Sequence, residues 1–335
     1  MNKVIFAIWA VFMLVGVYVS AAETTVIKAD GSSTVYPIME AMAEEFQTLK
    51  KGSVKVTAGI SGTGGGFKKF CRGETDIQDA SRPITTAEME DCKKAGVKYF
   101  ELPIAYDATV VAVNLKNTWL KEITVADLKK IWEPTAQGRI MKWNQVNPAW
   151  PDAEFKLYGA GSDSGTFDYF TEAVVGKAKS SRGDYTASED DNTIIKGIAG
   201  DKFALGYVPM SYFMENKKTL KSIAIIGGEK APVKTAVLPS KETVENSTYY
   251  PLSRPLFIYV SEASAKKAEV KEFIQFFLKN SPTIVPSVKY VALPKTAYEM
   301  ATKHFNNGRL GTVFNSKESH VGLKIEELLK KESSM

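Results

Sequence analysis

The chain has little of what metal and redox sites are built from. It holds two cysteines, Cys71 and Cys92, and two histidines, His304 and His320, a supply that argues against a zinc centre. The formal charge of +5 is mild for 335 residues. It comes with no basic run and no RNA-binding signature, so nothing argues for nucleic acid. There is no internal repeat and no low-complexity block. Long apolar runs are absent too: Val4–Val19 falls short of the roughly 20 residues of a comfortable membrane span. The histidines lie outside every serine-rich motif, so a serine nucleophile would lack its base. Gly161-Ser162-Asp163-Ser164-Gly165 also misses the Gly-x-Ser-x-Gly spacing of a nucleophile elbow.

What is present begins with an export signal. Lys3 precedes the apolar stretch and Ser20-Ala21-Ala22 follows it, the three parts of a secretory signal peptide cut before Glu23. The alternative is a single membrane anchor, which the short run and the small residues after it disfavour. Residues 1–22 are therefore expected to be removed, leaving a chain long enough for one large domain or two medium ones. In an oxidising compartment Cys71 and Cys92 read as a disulfide rather than as two buried thiols. Closing that loop contributes about 3 kcal/mol in the chain-entropy model.

Three short segments share one composition. Gly31-Ser32-Ser33-Thr34, Ser61-Gly62-Thr63-Gly64-Gly65-Gly66 and Gly161-Ser162-Asp163-Ser164-Gly165-Thr166 each place hydroxyl residues and glycines just before a helical pattern. A helix start exposes unpaired N–H groups and carries partial positive charge. Hydroxyls add donors, and glycine lets backbone approach a ligand. Taken singly, each is an ordinary N-cap; converging, the three would cage a small tetrahedral anion.

The order of elements says how they could converge. Strand-like Thr25–Lys28, Val54–Thr57 and the stretch from Asp76 to Pro83 alternate with helical patterns over Val35–Leu49, the residues up to Cys71, and the residues up to Lys94. Strands alternating with helices indicate a layered α/β domain. Thr109–Val113 and Leu256–Val260 read as buried extended segments able to cross between two lobes. The expected architecture is a lobe of residues 23–108 plus 254–335, a second of residues 109–253, and a ligand cleft where strands end and helices begin. Trp132, Trp143 and Arg182 read as packing residues.

On these residues the chain resembles the periplasmic substrate-binding proteins of phosphate ABC transporters, the PstS family. The matching stretches are Asp30–Pro37, Gly59–Gly66, Asp76–Pro83, Tyr106–Asn114, Ser162–Thr166 and Ala204–Pro209, and the run Gly161–Glu172 resembles one branch of that family. The resemblance implies a class II periplasmic binding protein: two α/β lobes joined by two crossover strands, a monomer without cofactor or catalysis. Such a protein closes on inorganic phosphate and delivers it to a membrane permease. Another oxyanion, such as sulfate, molybdate or a phosphonate, is the alternative ligand, and a serine-dependent phosphatase the more distant one.

Carried over by position, Thr34 and Val35 would supply a hydroxyl and two amides, Ser61 a hydroxyl, and Ser164, Gly165 and Thr166 hydroxyl and backbone donors. Two positions depart from the family. Ser81 stands where better-known members carry an Asp that accepts the proton of hydrogen phosphate, and Ala160 stands where they carry an Arg. Arg82 is the expected replacement for the charged donor, and Asp163 the expected proton acceptor.

Overall fold

The computed structural model describes residues 24–314 and 321–334; the expected signal peptide lies outside them. The first part alternates regularly: β1 (Thr25–Gly31), α1 (Tyr36–Leu49), β2 (Val54–Ile60), α2 (Gly62–Phe70), β3 (Ile77–Ala80) and α3 (Thr86–Lys94). The strands pair in parallel in the order β2-β1-β3, which requires the helices as crossovers. α1 earns its place by burying Ile38, Met39, Met42, Ala43 and Phe46 on one side, the 3.6-residue spacing of an amphipathic helix. A capping box between Thr85 and Glu88 starts α3. The Cys71–Cys92 disulfide joins the end of α2 to α3.

β4 (Tyr99–Asn114) is buried along its whole length and extends well before the expected segment Thr109–Val113. Its early part hides in the sequence because Glu101 and Pro103 interrupt the apolar run. Pro103 is tolerated because it sits opposite a register shift in the partner strand, at Leu256/Phe257. Glu101 is tolerated because the Tyr259 and Thr312 hydroxyls donate to it at 2.7 and 2.6 Å and the Val313 amide at 3.0 Å. Residues Tyr99–Ala108 pair with the strand Ser253–Ser261, whereas Thr109–Asn114 pair with Ala204–Pro209 and Leu220–Ser222. β4 thus belongs to both halves of the sheet.

The second half contains β5 (Glu122–Thr124), α4 (Val125–Trp132), α5 (Trp143–Val146), β6 (Lys156–Ala160), α6 (Gly165–Val175), β7 (Thr186–Ser188), α7 (Asp191–Gly200), β8 (Ala204–Pro209), α8 (Met210–Glu215), β9 (Leu220–Ser222), β10 (Ala224–Ile226) and α9 (Lys241–Glu245). Trp132 packs on Phe170, Tyr185 and Tyr207, and Trp143 is fully buried. Arg182 is buried against Asp184 and the Ile131 and Ile140 carbonyls, the structural role expected for it.

The chain returns through β11 (Ser253–Ser261), whose first residue pairs with Ala108 at the junction of the halves. α10 (Glu262–Ala265), α11 (Ala268–Ser287), α12 (Lys295–Asn306) and α13 (Ile325–Ser333) follow. α11 continues through Pro282 and Pro286. Each proline removes one ladder bond, while burial of Ser281 and Val285 holds these turns in place. The main sheet reads β2-β1-β3-β11-β4-β8-β6-β7, with β9 beside β4. It is a mixed α/β fold in which the turns after β1, β2, β3 and β6 face one another.

Candidate functional site

β1 ends at Gly31 with φ +143°, and a Cβ there would lie 2.3 Å from the Asp79 carbonyl oxygen. Only glycine allows that approach. The Ser32 amide donates to the same carbonyl at 3.0 Å. The next residues form a tight turn in which the Thr34 amide donates to Ser32 Oγ at 3.2 Å and the Val35 amide to the Ser32 carbonyl at 3.1 Å. Both amides expected to bind a ligand are therefore drawn into the turn. What projects toward the other half is the Thr34 hydroxyl, fully buried and 3.0 Å from Thr166 Oγ1.

The second loop turns its residues differently from the sequence expectation. Ser61 precedes α2, but its side chain makes no capping bond; it bonds the Asp30 carboxylate, which Lys69 also holds at 2.8 Å. Thr63 is the residue whose hydroxyl reaches inward. Its Oγ1 lies 3.1 Å from Ser81 Oγ and accepts the Ser81 amide at 3.2 Å. Cap logic finds the residue before a helix, and Thr63 is already inside its first turn, so that logic passes over it.

The third loop closes over this pair. Ser164 caps α6 by accepting the Thr166 amide at 3.1 Å. Gly165 then passes so near that a Cβ would meet Thr63 Oγ1 at 2.4 Å and Ser81 Oγ at 2.5 Å. Asp163 lies at the rim instead. Its carbonyl accepts the Gly64 amide at 2.9 Å, its amide donates to Glu189 at 3.1 Å, and its carboxylate, with 42% of the side chain exposed, pairs with Lys68 at 3.0 Å. Thr34, Thr63, Ser81, Gly165 and Thr166 thus meet in one buried place.

The charge at that place belongs to a residue without a sequence motif. Arg254, on β11, is completely buried. Its Nη2 lies 2.8 Å from Thr166 Oγ1, 3.2 Å from Thr34 Oγ1 and 3.2 Å from Asp107 Oδ2, and its Nη1 donates to the Gly165 carbonyl at 3.1 Å. Nε has no partner. Donation by Arg254 occupies lone pairs on the two threonine oxygens; one of their protons bridges the pair and the other is left to be given elsewhere.

Arg82 is committed to the protein's own carboxylates. Its Nη1 and Nη2 each bond Glu88 at 2.8 Å, and Nε bonds Asp168 at 2.7 Å.

Asp107 and Asp191 are buried carboxylates that feel Arg254, and Asp79 is a third buried carboxylate on β3. Burial raises the pKa of Asp107, and Arg254 opposes the rise. Asp191, at the start of α7, is pushed up to about 7 by burial, with a Ser33 hydrogen bond and Arg254 opposing, and its Oδ2 has no partner. Neither Asp79 oxygen has a partner, and burial raises that carboxyl well above the usual range. Among the described residues no cluster of His, Cys, Asp and Glu could hold a metal, and no helix is long and apolar enough to cross a membrane. The arrangement suits a small oxyanion: hydroxyls from four turns beside one buried cation.

The comparisons agree with that chemistry. The PBP superfamily domain model matches residues 19–281. Protein SphX of Synechococcus elongatus is 48% identical over 313 residues, covering 93% of this chain and 90% of that protein. The phosphate-binding protein PstS of Staphylococcus saprophyticus is 37% identical over 275 residues, covering 81% of this chain and 82% of its own. A crystal structure from Clostridium perfringens, assigned as a phosphate ABC transporter substrate-binding protein and solved with bound phosphate, superposes with a TM-score of 0.65 at 29% identity. It covers 81% of this chain and all of its own.

Proposed function

Since the chain belongs to the PBP superfamily and, within it, to the PstS family of phosphate-binding proteins, we propose that it captures inorganic phosphate between its two halves and hands it to a membrane permease. The single observation that carries this reading is the meeting of Thr34, Gly165 and Thr166 on Arg254, with Thr63 and Ser81 against Gly165. Neutral donors plus one buried guanidinium replace the anion's hydration with fixed dipoles, and no group there is poised to attack phosphorus. The role is reversible binding, without catalysis or cofactor.

The halves act as lobes, residues 23–108 with 254–335 and residues 109–253, hinged where β4 and the start of β11 meet. Thr34, Gly165 and Thr166 are assigned as ligand-side residues; the Val35 amide is held within its turn and Ser164 serves as the cap of α6. Thr63 takes the part expected of Ser61, and Arg254 the part expected of Arg82. A carboxylate that accepts a proton from hydrogen phosphate repels a fully deprotonated anion, and an unpaired buried charge is costly. We assign that discrimination to Asp107, beside Arg254, in place of the exposed Asp163. The mature protein works as a monomer outside the cytoplasm after loss of residues 1–22.

Titration calorimetry with phosphate, sulfate and molybdate tests the reading. Phosphate should bind with saturable heat and sulfate far more weakly. Arg254→Gln should cost about 1.5–3 kcal/mol of phosphate affinity. Equal heats for phosphate and sulfate, or an unchanged affinity in Arg254→Gln, would contradict it.

A further inference from the structure

Arg82 and Asp168 come from opposite halves of the molecule, and the way each is partnered sets them apart from an ordinary buried ion pair. Arg82 follows β3; Asp168 lies in the first turn of α6. Arg82 Nε donates to Asp168 Oδ2 at 2.7 Å, and the two side chains are 9% and 4% exposed. The other face of the guanidinium is bound by Glu88, which sits in the first turn of α3 within the same half as Arg82 and is itself tied to Thr85. Pro83 O accepts from Nη1 as well, at 3.1 Å. On the far side, Lys179 Nζ stands 3.9 Å from Asp168 Oδ2, within the same half as Asp168.

Breaking a buried ion pair usually leaves an uncompensated charge, which makes separation prohibitive. Here neither charge is abandoned when the halves part: Arg82 keeps Glu88, and Asp168 keeps Lys179 and gains water. The bond across the cleft is therefore one that can be made and broken repeatedly. Nor is it saturated, because Asp168 Oδ1 has no partner in the closed form and burial raises the pKa of this carboxyl against the pull of Arg82.

The location gives the bond a task. Asp168 is on the same helical turn as Gly165 and Thr166, so fixing it fixes the segment pressed onto Thr63 and Ser81. We propose that Arg82 and Asp168 form a closure clasp, a pair of positioning residues that touch no phosphate and strengthen its capture by favouring the closed arrangement. The proposal rests on the phosphate-binding reading. A contact present only in the closed form adds to ligand affinity in proportion to its preference for that form. A second ion pair between the halves, Lys68–Asp163, has side chains 63% and 42% exposed and is screened by solvent.

The test compares wild type, Asp168→Asn and Lys68→Ala by phosphate titration, stopped-flow dissociation and small-angle scattering with and without phosphate. Asp168→Asn keeps the side chain's shape and removes its charge. Its affinity should fall about 5–30-fold, mainly through faster dissociation. Scattering at equal sub-saturating phosphate should show a larger open fraction, while the melting temperature without phosphate should stay near wild type. Lys68→Ala should remain within about twofold. Arg82→Lys retains a charge for Glu88 but lacks the fork, and should move affinity and dissociation in the same direction if Asp168→Asn folds poorly. If wild type binds and Asp168→Asn binds equally or more tightly, the clasp is wrong and the functional reading stands. A wild type that takes up no phosphate defeats both.

Discussion

Ser61 and Thr63 are two residues apart in one glycine-rich loop, yet they serve different neighbours. Ser61 bonds Asp30 at the edge, while Thr63 bonds Ser81 in the interior. Composition identified the loop, because clustered glycine and hydroxyl residues ahead of a helix have few other uses. It could not choose between the two hydroxyls, because that depends on where Asp30 and Ser81 lie in space. Arg254 was less legible still. Leu252-Ser253-Arg254-Pro255 carries no local signature, and the partners that give this arginine its meaning stand at 34, 107, 165 and 166. Phosphate titration separates the two hydroxyls. Thr63→Val is nearly isosteric and should weaken binding about 5–10-fold, the worth of one buried hydrogen bond. Ser61→Ala should stay within about twofold. The reverse ranking would return the second loop's role to Ser61.

At the scale of elements, α6 shows how a helix start can serve a cleft without relying on its dipole alone. The cap, Ser164, satisfies the Thr166 amide internally, so the helix offers Thr166's hydroxyl and the bare backbone of Gly165. That glycine is not required by its own conformation, since it lies within helical backbone. It is required by proximity to Thr63 and Ser81 in the other half. Gly165→Ala therefore separates closure from folding. Alanine is the better helix former by about 0.5–1 kcal/mol, so the melting temperature without phosphate should hold or rise. Phosphate affinity should fall at least about tenfold, because the added methyl stands where the hydroxyls must come. Undiminished affinity would show that the halves do not close this tightly when they bind.

For the whole molecule, the alternation of strands and helices was legible throughout the first part because parallel pairing imposes it on the sequence. The second half was less so: β5, β7, β9 and β10 are three residues each, too short to establish a period. The long strand was visible only where its run is apolar, from Thr109 onward. Before that, Glu101 is sheltered by hydroxyls from Tyr259 and Thr312, which the sequence places 158 and 211 residues away. The motifs thus point to the loops that meet, and long-range contacts determine which side chains face one another there.

A crystal structure of the mature protein grown with phosphate tests the central claim most directly. The account predicts one tetrahedral anion bonded to the hydroxyls of Thr34 and Thr166, in contact with the Gly165 loop, and within direct hydrogen-bonding distance of Arg254. An anion seated instead beside Lys68 and Asp163 at the rim, with Arg254 out of its reach, would contradict it.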